Sequence, residues 1–127
     1  MHRSRLYGIL IDTPADQAGT ATAFWAGALG GTVRTDPKEP EYTGISGAVA
    51  GFEVVVQSVD DAPRYHLDIE TDDVAAETAR LVELGATVVT DNGGHQILTA
   101  PGGHLLCVVP VQSPAELFAG DSKVWPA

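Results

Sequence analysis

Three side chains that can move protons or bind a metal ion share one short segment. His66, Asp68 and Glu70 alternate in Tyr65-His66-Leu67-Asp68-Ile69-Glu70. In a strand, alternate residues share a face. The three therefore point one way, and Leu67 and Ile69 point the other. Two readings fit. In the first, the segment is a polar cavity wall with His66 as general base or ligand, and Asp68 raises the pKa of His66 and orients its ring. In the second, it is an ordinary half-exposed strand with a solvated polar side. The single cysteine, Cys107, stands in the apolar run Leu105-Leu106-Cys107-Val108-Val109. Buried cysteines are common and usually inert. The sharper alternative is a thiolate paired with His66 across a cavity, as nucleophile or metal ligand. One cysteine excludes an internal disulfide, and a cytoplasmic setting is expected.

Other chemical residues carry weaker signals. His66, His95 and His104 are separated by 28 and 8 residues, which fits no local zinc motif. His95 and His104 read as turn-edge residues. The stretch Asp60–Glu77 holds seven carboxylates and one arginine. A solvated rim is expected there, since no calcium-loop pattern is present. Tyr7, Tyr42 and Trp125 offer aromatic walls for a small-molecule site, although scattered aromatics also serve packing. There is no phosphate-binding glycine loop and no GxSxG. Gly30-Gly31 and Gly93-Gly94 suit helix termination and turns.

These residues need a scaffold, and the composition allows one. The chain has 127 residues, 44% hydrophobic and 19% charged, enough for one domain with a core. Seven Lys and Arg against seventeen Asp and Glu give 7 − 17 = −10. That balance argues against a nucleic-acid partner and against an anionic membrane surface. No apolar run approaches the roughly 18 residues of a membrane span. Met1-His2-Arg3-Ser4-Arg5 looks like the basic start of a signal peptide, but the apolar run after it, Leu6–Ile11, is too short to complete one.

An internal repeat organises the elements. Residues 29–37 read LGGTVRTDP and residues 84–92 read LGATVVTDN, six matches in nine at an offset of 55. Two copies at that spacing suit a duplicated half-domain rather than a solenoid. In the first half, a strand at about Leu6–Asp12 ends at Thr13-Pro14. A helix follows over about Asp16–Leu29, with Ala21, Phe24, Trp25, Ala28 and Leu29 on its apolar face. Strands are expected at Gly31–Thr35, Tyr42–Val49 and Phe52–Val59, with a proline-rich loop at Asp36–Pro40. Asp60-Asp61-Ala62-Pro63 links the halves. The second half has a strand at Arg64–Glu70 and a helix at about Val74–Leu84, capped by Thr71, Asp72 and Asp73. Strands at Thr87–Thr90, His95–Thr99 and His104–Val109 follow, the last two joined by a tight turn at Ala100-Pro101-Gly102-Gly103. The tail from Val111 is expected to be a loop or a short helix near Pro114–Ala119, with Phe118 and Trp125 packing back.

A doubled β-α-β-β-β unit with these motifs resembles the vicinal oxygen chelate superfamily, which includes glyoxalase I, extradiol dioxygenases and the fosfomycin and bleomycin resistance proteins. The matching pieces are Ile11-Asp12-Thr13-Pro14, Ala23-Phe24-Trp25, Tyr65-His66-Leu67-Asp68-Ile69, Leu84-Gly85-Ala86-Thr87 and Pro101-Gly102-Gly103-His104. They are most similar to a glyoxalase-like group. The resemblance implies an α+β fold: two tandem β-α-β-β-β modules forming a cupped mixed sheet around a cavity. The modules would span about residues 6–59 and 64–110 of a single domain, with a tail at 111–127. It also implies four ligand positions, on the first and last strand of each half. His66 matches one. Cys107 stands where glyoxalase I has a glutamate, Gln57 stands where another glutamate is expected, and Tyr7 or Gly8 takes the remaining place. The expected ligand-binding residues are thus Tyr7, Gln57, His66 and Cys107, with His66 and Asp68 as the catalytic candidates.

With one good ligand of four, the resemblance implies a small organic molecule bound beside a degenerate metal site, and it disfavours glyoxalase I activity itself. No cofactor is expected, with a divalent metal as the alternative. A divalent metal (Zn, Ni, Mn or Fe) would bind through His66, with Cys107 as a further ligand. The alternative is a metal- or His66-dependent lyase or isomerase. A homodimer is expected from the resemblance alone.

Overall fold

The computed structural model describes residues 1–91 and 94–126. Asn92 and Gly93, part of the turn expected after Asp91, lie outside them. The chain divides into two compact units, Gly8–His66 and Met1–Tyr7 with Leu67–Ala127. Strands β1 (His2–Pro14) and β5 (Arg64–Thr71) cross the division, so each lends residues to both units. The described residues form nine strands and three α-helices, a mixed α+β fold built from two β-α-β-β-β modules.

The Gly8–His66 unit carries a 3-10 turn at Ala15–Gln17, α1 (Ala18–Leu29), β2 (Thr32–Thr35), β3 (Tyr42–Ser46) and β4 (Glu53–Val59). Its strands run β2-β3-β4-β1, with β1 parallel to β4 and the other neighbours antiparallel. Ile11, Ile45, Val54 and Val56 form a buried cluster, with Ile9, Trp25, Ala26 and Phe52 packed against it. Trp25 serves the core as expected. The rest of the helix stripe does not follow the expectation. Phe24 is 62% exposed and Leu29 39%, and no residue of α1 is buried. AGTATAFWAGAL is apolar or small on every side, so its period cannot select a face. The Leu-Gly signal holds: Gly30 ends α1 in the left-handed region at φ 72°.

The second unit contains the rest of β5, then α2 (Val74–Glu83), β6 (Thr87–Asp91), β7 (Gln96–Thr99), β8 (Leu105–Pro110), α3 (Ala115–Asp121) and β9 (Lys123–Trp125). Its order is β5-β8-β7-β6, with β5 parallel to β8. This repeats the first module's plan, and Leu98 and Val108 are fully buried in it. Asp73 caps α2 by accepting the amide of Ala76 at 3.0 Å. The tail forms the expected short helix, α3. After α3 it adds β9, which pairs antiparallel with His2, Arg3 and Ser4 of β1. Phe118 is buried, and the Trp125 indole N–H donates to Ser4 Oγ at 2.8 Å. The basic start of the chain is thus strand, with His2 and Arg5 buried.

The acidic stretch also differs from a solvated rim, because Glu70 and Glu77 are fully buried. Glu77 accepts both arms of the Arg80 guanidinium at 2.8 Å, and its Oε1 lies 2.7 Å from His2 Nε2. Arg80 in turn lies 3.8 Å above the Trp125 ring. The network ties β1, α2 and β9 together.

Candidate functional site

Strand β5 positions the expected chemistry. Its alternation places His66 and Asp68 on one face. In the Gly8–His66 unit, His66 Nδ1 lies 2.8 Å from Asp12 Oδ2. Asp12 is a buried carboxylate near the end of β1, and Arg64 Nε donates to the same oxygen at 3.3 Å. A carboxylate on His66 Nδ1 is therefore that of Asp12. A charged residue closing the apolar run Ile9-Leu10-Ile11 was the available signal. Its partner lies 54 residues away, so no local pattern announces the pair.

The polar row continues sideways. Asp12 stands opposite Gln57 on β4, and Gln57 stands opposite Tyr42 on β3. Gln57 Nε2 donates to the Tyr42 hydroxyl at 3.4 Å. An amide and a phenol here orient a polar ligand better than they bind a metal. Gly8 offers no ligand atom. A Cβ there would collide with the Glu53 backbone, so the close approach of β1 to β4 requires glycine. Tyr7 is half-buried and belongs to the other unit.

In that second unit, Asp68 is the register partner of Cys107 on β8. Cys107 is a half-buried free thiol. Glu70 takes another path. It accepts the backbone amides of Gln112 and Ser113 at 2.7 and 3.0 Å and the Ser113 hydroxyl at 2.6 Å, and Arg5 Nε lies 3.3 Å away. With both oxygens engaged, it is a clasp for the segment after β8. Cys107 on β8 is thus paired with Asp68, which stands two residues along β5 from His66. Imidazole nitrogen, carboxylate oxygen and thiolate sulfur suit a borderline divalent ion such as zinc, which takes three protein ligands and keeps a position open in catalytic sites. Among the described residues, His95 and His104 join no such cluster.

Two parallel-cored β-α-β-β-β modules with chemistry on their first and last strands define a class of protein. The family model described as "Glyoxalase-like domain" matches residues 8–109. The chain belongs to that family. A search of the curated proteins finds no match. Solved structures similar to it include an NAD-dependent benzaldehyde dehydrogenase from Legionella pneumophila (8% identity, TM-score 0.64, 83% of this chain and 98% of that one). A methylmalonyl-CoA epimerase from Streptomyces coelicolor in complex with 2-nitronate-propionyl-CoA matches at 13% identity and TM-score 0.54, over 86% of this chain and 98% of that one. The 2,2',3-trihydroxybiphenyl 1,2-dioxygenase of Sphingomonas wittichii RW1 matches at 15% identity and TM-score 0.59. That match covers 91% of this chain but 44% of the dioxygenase. At these identities the likeness is one of fold.

Proposed function

We propose that the chain binds a small organic molecule with neighbouring oxygens at a divalent-metal site made by His66, Asp68 and Cys107. The register pairing of Asp68 with Cys107, two residues along β5 from His66, carries the reading. Two structural neighbours, an epimerase in complex with 2-nitronate-propionyl-CoA and a 2,2',3-trihydroxybiphenyl 1,2-dioxygenase, support the oxygen-rich ligand class. An ion held by three side chains would present open positions to such oxygens and stabilise negative charge developing on them. The Asp12–Gln57–Tyr42 row supplies hydrogen-bonding groups for the ligand's polar edge.

A second reading has its own observation. Gln57, and Tyr7 or Gly8, at two of the four positions implied by the resemblance, are poor metal donors, which favours ligand sequestration without chemistry. The lyase or isomerase reading needs the metal or a basic His66. The homodimer belongs to the same proposal, supported by α1, which exposes Phe24 and buries no residue.

Cobalt(II) added to metal-free protein tests the ligand set. Thiolate coordination gives intense near-ultraviolet charge-transfer absorption. We expect that band in the wild type and its loss in Cys107→Ser. A wild type that takes up cobalt without the band removes Cys107 from the set.

A further inference from the structure

We propose that Arg34 selects the ligand's charge: it receives the carboxylate of an organic acid whose polar far end meets the Tyr42–Gln57–Asp12 row. The proposal deepens the ligand reading above. It rests on that row belonging to the site, and not on a metal ion being bound.

The argument starts from a glycine that the backbone does not require. Gly44 stands inside β3, in regular register with Arg34 on β2 and Val55 on β4. Its φ is not positive, and the ladder has no bulge there. A glycine inside a strand weakens it and often marks a close approach. The approaching group is the Arg34 guanidinium, with which a Cβ on Gly44 would collide. The guanidinium is therefore laid against the strand. Glu53 Oε2 accepts from Nη2 at 3.3 Å and Ser46 Oγ accepts from Nη1 at 3.2 Å. A guanidinium carries five N–H donors. Those two contacts are its hydrogen bonds among the described residues, and the side chain is 55% exposed, so the remaining donors are open to a solute. Arg64, the other cation at this row, already faces two carboxylates, Asp12 and Asp61.

Register also fixes where Arg34 stands. Arg34, Gly44 and Val55 share a face with Tyr42, Gln57 and Asp12, which lie two residues further along their strands, about 7 Å away. Ile45, Val54 and Val56 face the other way, into the core with Trp25. Half-buried Val55 supplies an apolar floor beside the cation. A ligand that meets all of these has a carboxylate, an apolar body and a polar far end. The guanidinium fork matches a carboxylate. A single arginine beside Glu53, in a chain of net charge −10, suits one negative charge better than a phosphate dianion.

Benzoate and benzamide, alike in shape and unlike in charge, are the probes, added to metal-free protein isotope-labelled in arginine. Nitrogen–proton NMR follows the Arg34 Nε–H signal, identified by its absence in Arg34→Gln. We expect benzoate to move that signal saturably and benzamide to leave it in place. Gly44→Ala keeps every charge but fills the seat of the guanidinium, and should weaken benzoate binding about tenfold or more. Its clash is with the flexible end of a side chain, so the fold should stand. Arg34→Gln alters no backbone and should show the same loss by calorimetry. A signal that benzoate leaves unmoved, or that benzamide moves equally, overturns the proposal. So does unchanged benzoate affinity in Arg34→Gln. Benzoate bound at Arg34 in a protein that takes up no zinc sustains this role and removes the metal reading. Zinc uptake without benzoate binding does the reverse, so the two fail separately.

Discussion

His66, Asp68 and Glu70 share one strand face by sequence, yet each carboxylate around them has a separate task. Glu70 clasps the segment after β8, Asp68 stands beside Cys107, and the contact to His66 Nδ1 comes from Asp12. Alternation is local and visible in sequence. The choice of partner depends on which strands meet, and that choice is not. The same lesson applies to Glu77. Burial pushes its carboxyl up, but hydrogen bonds from Arg80, His2 and Ser4 and the Arg80 charge outweigh burial and hold it below the ordinary value of 4.5. A carboxylate depressed in the folded state stabilises fully above its unfolded pKa. That contribution is lost as pH falls through the folded value. Urea unfolding midpoints should therefore fall as pH drops below about 4.5, and Glu77→Gln should flatten that part of the profile. The same substitution should cost about 2 kcal/mol or more at neutral pH, because Arg80 and His2 lose a charged acceptor. An unaltered acid profile in Glu77→Gln would assign the acid sensitivity to other groups.

At the scale of elements, local chemistry sets many of the boundaries. The cap at Asp73 starts α2, and Asp73→Ala should lower stability by about 1 kcal/mol in denaturant titrations. No change would mean that packing alone sets the start of α2. The repeated Leu-Gly ends both helices, with Gly30 at φ 72° and Gly85 at φ 117°. Two turn glycines, Gly102 and Gly103, have φ of 98° and 92°, as the expected hairpin turn between β7 and β8 requires. Other elements were hidden for physical reasons. Strand β9 is three residues long, and its partners His2–Ser4 lie at the opposite end of the chain, so no local period announces it. The first strand extends beyond Leu6–Asp12 because Arg3, Ser4 and Arg5 find partners in Asp72, Trp125 and Glu70. Polar residues in a strand read as a loop until those partners are known. In α1, the lack of polar contrast concealed which side meets the sheet.

For the whole molecule, duplication is the organising fact. Each unit brings polar or ligating residues on its first and last strands: Asp12 and Gln57 in one, Asp68 and Cys107 in the other. The family resemblance names His66 and Cys107 as candidates, whereas the contact of Asp12 with His66 joins residues 54 positions apart. The apolar, unburied α1 bears on assembly. If two copies associate through it, sedimentation of the wild type at micromolar concentration should give twice the chain mass, and Phe24→Glu should give a single chain. A monomeric wild type would remove the homodimer. The central claim concerns the metal, and its most direct measurement is the metal content of untagged protein purified without chelator, beside His66→Ala. The account predicts near-stoichiometric divalent metal in the wild type and its loss in the variant. A folded wild type without metal would contradict it and leave a glyoxalase-like fold that holds its ligand by hydrogen bonds and packing alone.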